Sequence, residues 1–91
     1  MPYMLPRDLP RFQAVFAELM DFFRDPLSLG QQARYWLLLQ DRITLAEWEY
    51  AAQQAMARET FYQVPLVAHF MDYVREYRQQ GVPLVLTGGL D

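Results

Sequence analysis

The chain has 91 residues, 53% hydrophobic and 15% aromatic, and it balances eleven acidic side chains against eight arginines for a net charge of −3. That length supports one domain, and a domain this small buries only about 60–65% of the surface its unfolded chain exposes, so dense apolar packing must hold it together. The composition excludes a disordered tail. The acidic balance, with no run of arginines, disfavours direct nucleic-acid binding, and the absence of cysteine excludes a disulfide scaffold or a thiolate metal site.

The opening MPYMLPRDLP carries prolines where a signal peptide needs an unbroken apolar run. No apolar stretch approaches the roughly 18 residues of a membrane span, so a cytoplasmic protein is expected. Four segments show helical periodicity and none alternates like a strand, which makes the expected fold all-α. The layout is an N-terminal arm over residues 1–8, a compact bundle of four helices within 9–80, and a short C-terminal tail over 81–91.

The first helix is expected over about 9–24, with Asp8 as N-cap and Pro10 tolerated in the first turn. Leu9, Phe12, Val15, Phe16, Leu19, Met20, Phe22 and Phe23 share an arc about 160° wide, which must be buried. Asp25-Pro26 ends this helix. Ser28-Leu29-Gly30-Gln31 has the S-x-x-Q form of a capping box and opens the second helix, about 29–40. Its Tyr35-Trp36-Leu37-Leu38-Leu39 run is apolar nearly all round, so the helix is either sandwiched centrally or turns a sticky side outward; central burial is the expectation, with Leu37 as the residue that tests it.

Thr44-Leu45-Ala46-Glu47 is a second capping box, opening a third helix at about 45–58. Leu45, Trp48, Ala51, Ala52, Ala55 and Met56 form its inner face, and the alanines admit a close neighbour. Tyr50 falls on the polar side, an aromatic contact point for a partner. Pro65 pushes Val64 toward an extended conformation and suits the first turn of a fourth helix, about 65–80. There Leu66, Val67, Phe70, Met71, Val74 and Tyr77 line one face, and Gly81 followed by Pro83 supplies the stop. Phe61 and Tyr62, in a connection too short to wander, are expected to clamp over the core. The tail holds an apolar triplet, Leu84-Val85-Leu86, expected to dock in extended form on the core or on a partner, ahead of a flexible Gly88-Gly89.

Catalysis is poorly supplied, and neither catalytic residues nor a cofactor or metal site is expected. His69, Asp72 and Glu76 share one side of the fourth helix but read as a solvated face, with Asp72 near Arg75. Ser28, the sole serine, is explained as a cap, and Gly88-Gly89 is followed by no helix that could hold a phosphate.

Residues 28–77 carry a sequence of features: Tyr35 to Leu39, the acidic turn at Asp41, the alanine-rich helix with Leu45, Trp48, Ala51 and Ala52, then Phe61, Tyr62, Pro65 and Leu66. This resembles a recurrent pattern in small bacteriophage replication proteins of the helicase loader and inhibitor family. The resemblance implies a compact helical domain without catalysis of its own, whose partner is a ring-shaped replicative helicase or another replication protein. The contact residues expected on that basis are Leu84, Val85 and Leu86 in the tail and Tyr50 on the surface. The alternative is a self-associating structural or regulatory protein of a phage or plasmid, a homodimer in which Leu37 and the second helix pack on their own symmetry mate.

Overall fold

The computed structural model describes residues 3–59 and 62–90, with side chains described as far as Gln80. It is all-α: a short 3-10 turn at Pro6–Asp8 leads into α1 (Leu9–Phe23), α2 (Leu29–Leu39), α3 (Leu45–Arg58) and α4 (Val67–Leu90). No strand occurs among the described residues.

Trp48 is the centre of the core. Its ring stacks on Phe12 at 4.6 Å between centroids, and Phe70 and Phe16 close on it at 5.0 and 5.9 Å. Burying so large a ring requires a partner for its one polar group, and the indole N–H donates to the Phe12 carbonyl at 3.4 Å. Ala51, Ala52 and Ala55 are buried alongside it. These small side chains let α4 lie close on α3, and that pair forms the most extensive packing in the molecule.

Both capping boxes form. Ser28 Oγ accepts from the Gln31 amide while the Gln31 side chain accepts from the Ser28 amide, and Thr44 and Glu47 exchange the same two bonds. Asp8 stands at the N-cap of α1, but its carboxylate turns back to accept from the Leu5 amide at 2.9 Å and leaves the helix amides uncapped. Arg24 closes α1 in the left-handed conformation, φ 53°. The Asp25 amide reaches back to the Met20 carbonyl at 3.0 Å, the bond that characterises a Schellman turn.

Several expectations are corrected. α2 is peripheral: Leu39 is its only buried residue, and Leu37 is 62% exposed. The core is already filled by α1, α3 and α4, so α2 meets it along one edge. Phe22 and Leu66, placed by periodicity on buried faces, are exposed: Phe22 lies at the margin of the α1 arc while the adjacent Phe23 is buried, and Leu66 stands just before the first helical residue of α4. Tyr62 is 85% exposed and does not clamp the core; Val64 and Pro65 take that inward position. Phe61 lies outside the described residues. α4 begins at Val67 and its backbone stays helical through Leu90, so Gly81 does not stop the helix and residues 82–90 are not an extended tail.

The N-terminal arm is folded onto the domain from Tyr3 onward. Met4 is buried and its amide donates to the Gln40 carbonyl at 3.0 Å, tying the arm to the end of α2.

Candidate functional site

A groove of about 490 Å³ runs between α2 and the connection that leads from α3 into α4. Tyr35 and Leu38 form one wall, and Val64, Leu66 and Val67 form the other. Two hydrogen bonds of 2.9 Å fix its width. The Tyr35 hydroxyl donates to the Pro65 carbonyl, and the Val64 amide donates to Asp25 Oδ2. Burial, together with the negative charge of Asp25, pushes the Tyr35 phenol up from its ordinary value. Tyr35 therefore keeps its proton and remains a donor throughout the physiological range.

The groove is apolar inside and polar at its edge, where Gln31, Arg34 and Gln63 stand. Leu66 is 66% exposed at its mouth, with the exposed Tyr62 a few residues before it. Pockets lined by apolar side chains with a few polar groups at the rim suit the side chains of a docked peptide or helix. The residues singled out by pattern divide accordingly: Leu39, Trp48, Ala51 and Ala52 belong to the core, whereas Tyr35 and Leu66 line the groove and the Pro65 carbonyl anchors the Tyr35 hydroxyl.

The other sequence candidates are dispersed. Tyr50 is half-buried rather than free on the surface. Its ring lies 4.8 Å from that of Tyr77, its hydroxyl donates to Glu76 Oε1 at 3.1 Å, and it accepts from Gln80 Nε2 at 2.8 Å. Leu37 stands on the outward face of α2. Leu84, Val85 and Leu86 lie in the last turns of α4 by backbone, and their side chains fall outside the described residues. Leu38, Leu66 and Tyr62 belong to the pattern in residues 28–77 but were not among the contact residues expected from the sequence. Periodicity could not single them out, because it assigns Leu66 to the buried face and says nothing of where the covering helix ends.

His69, Asp72 and Glu76 point to different partners. His69 Nδ1 is 4.0 Å from Glu59, Asp72 pairs with Arg75 at 2.6 Å, and Glu76 receives Arg58 at 2.6 and 2.9 Å. Among the described residues no group of three or more His, Asp or Glu converges as a metal site. The hydrogen bonds from Arg58, against a smaller effect of burial, hold the Glu76 carboxyl below its ordinary value. Tyr73 donates to Glu59, and burial with that bond pushes its hydroxyl up to about 12. The Arg58–Glu76 and Tyr73–Glu59 bonds fasten the end of α3 to α4, whereas Asp72–Arg75 is a pair within α4.

No helix among the described residues is long and apolar enough to cross a membrane. No protein-family model, curated protein or solved structure matches the chain.

Proposed function

We propose that the chain is a non-catalytic adaptor of phage-type DNA replication that works in the cytoplasm by binding a replicative helicase or another replication protein. The observation that carries the reading is the apolar groove between α2 and the start of α4, with Leu38 and Leu66 exposed along it. The family resemblance supports it independently: Tyr35 and Leu66, two residues of that pattern, line the groove, and the carbonyl of a third, Pro65, accepts the Tyr35 hydroxyl. Binding energy is then the whole mechanism. An adaptor that fits one conformation of a ring better than another shifts the ring toward it, and so controls opening, loading or nucleotide turnover.

The test is light scattering behind a sizing column, with the chain alone and mixed with the replicative helicase of its host, with and without nucleotide. Comigration is expected, and Leu66→Glu, which places a charge in the groove without touching the core, should weaken it about tenfold or more. Truncation after Gln80 tests the contribution of Leu84, Val85 and Leu86. A wild-type chain that never comigrates, or a Leu66→Glu variant that binds as well as wild type, overturns the reading.

A further inference from the structure

The backbone that walls the groove has little left to offer an occupant. The Val64 amide donates to Asp25 and the Pro65 carbonyl accepts from Tyr35, both at 2.9 Å, while the Leu66 carbonyl accepts from the His69 and Phe70 amides at 3.0 and 3.2 Å. Pro65 carries no amide hydrogen, and the facing wall is a helix whose backbone bonds are internal. An extended segment laid here finds no ladder to join and would bury unpaired peptide groups. A helix arrives with its own backbone bonds closed and offers the groove side chains alone.

α2 contributes Gln31, Arg34, Tyr35 and Leu38 to the groove. That spacing forms one stripe about 10 Å long, the length of two helical turns. Tyr35 and Leu38 are its apolar members, and Arg34 stands exposed on its rim. Elsewhere Arg11, Arg58, Arg75 and Arg78 are spent in ion pairs of 2.6–2.7 Å within the fold. Arg34 makes no ion pair among the described residues. The groove's one carboxylate, Asp25, is half-buried and already accepts the Val64 amide.

Taking the groove as the contact surface of the adaptor, we infer that it receives two turns of an amphipathic helix from the partner, apolar on the face that enters and carrying an aspartate or glutamate on the flank that meets Arg34. Tyrosine and arginine at the edge of an apolar pocket are the side chains on which binding energy concentrates, and here Tyr35, Arg34 and the exposed Tyr62 stand together around it. The net charge of −3 opposes the distant approach of an acidic partner, but at physiological salt such fields fade within about 8 Å. The contact between carboxylate and guanidinium then decides which helix is held.

Two synthetic helical peptides test this by fluorescence anisotropy. Both carry leucines at i, i+3, i+4 and i+7; one flanks that stripe with glutamates, the other with lysines. The wild-type chain should bind the glutamate peptide about fivefold or more tightly than the lysine peptide, and added salt should narrow the difference. Arg34→Glu should reverse the order, Leu66→Glu should weaken both peptides, and Leu37→Glu, on the outward face of α2, should change neither; circular dichroism confirms that each variant folds. Equal binding of the two peptides, a preference for lysine, a preference that survives Arg34→Glu, or no binding of either peptide overturns the inference. Comigration with the helicase, measured for wild type and Arg34→Glu, separates the two readings. A glutamate preference without comigration leaves the helix-binding groove standing and removes the helicase as its partner, whereas comigration that Arg34→Glu does not weaken removes the acidic helix and keeps the helicase.

Discussion

At the scale of single residues, two groups are held in states that the unfolded chain does not share. Glu47 is the one buried charged side chain among the described residues. Burial alone would push its carboxyl up, but hydrogen bonds from Arg78 at 2.7 and 3.2 Å and from Thr44 hold it below its ordinary value of 4.5. Because the folded pKa lies below the unfolded one, the stabilisation is fully present above pH 4.5 and is lost as the pH falls through the lowered value. Glu47→Gln should cost about 1–3 kcal/mol at pH 7, since it leaves Arg78 poorly paired and half of the Thr44 capping box weakened. Urea midpoints measured from pH 7 down to about pH 3 should then fall less steeply for the variant than for wild type; parallel curves would assign the acid sensitivity elsewhere. Arg24 is the second such group. Its left-handed φ of 53° is strained for any side chain with a Cβ, and the side chain itself is exposed. Arg24→Gly should raise stability by about 0.5–1 kcal/mol, read as a higher urea midpoint with an unchanged slope.

At the scale of elements, the helices and their starts were legible in the sequence because the forces that set them are local. Ser28 with Gln31, and Thr44 with Glu47, need only three residues of helix to find each other, and both pairs form. The placement of α2 was not legible. Periodicity reports which side chains share a face, and YWLLL offers apolar residues to every face, so only the competition among four helices for one core decides which is left outside. The ends of α4 were misjudged for a related reason: Gly81 permits a stop but does not compel one, and Leu66 precedes the first helical residue, where no neighbour covers it. The groove was visible only through Tyr35, Pro65 and Leu66 as elements of a pattern, and its width depends on two hydrogen bonds that spacing does not encode. Gly30 allows a test of α2 as an element. Gly30→Ala meets open space and should stabilise the helix by about 0.5–1 kcal/mol in urea melts at low concentration.

At the scale of the whole molecule, the fold is uneven in a way that bears on function. α1, α3 and α4 share the Trp48 core and the ion pairs between α3 and α4, whereas α2 is attached through Leu39, the rings of Tyr35 and Trp36, and the bond from Tyr35 to Pro65. Segments with few buried apolar contacts open at lower free energy than the molecule unfolds. Native-state hydrogen exchange should therefore show the amides of α2 exchanging through a sub-global opening, while those around Ala51–Ala55 and Phe70–Val74 exchange only with global unfolding. Tyr35→Phe removes one bond worth about 1 kcal/mol and should speed exchange in α2 roughly fivefold, leaving the core amides nearly unchanged. Equal protection throughout would make α2 part of one cooperative unit and the groove a rigid slot. If α2 does open first, the groove has one mobile wall, and an occupant of the groove pays the cost of ordering it. Exchange in α2 should then slow when the proposed replication partner is added.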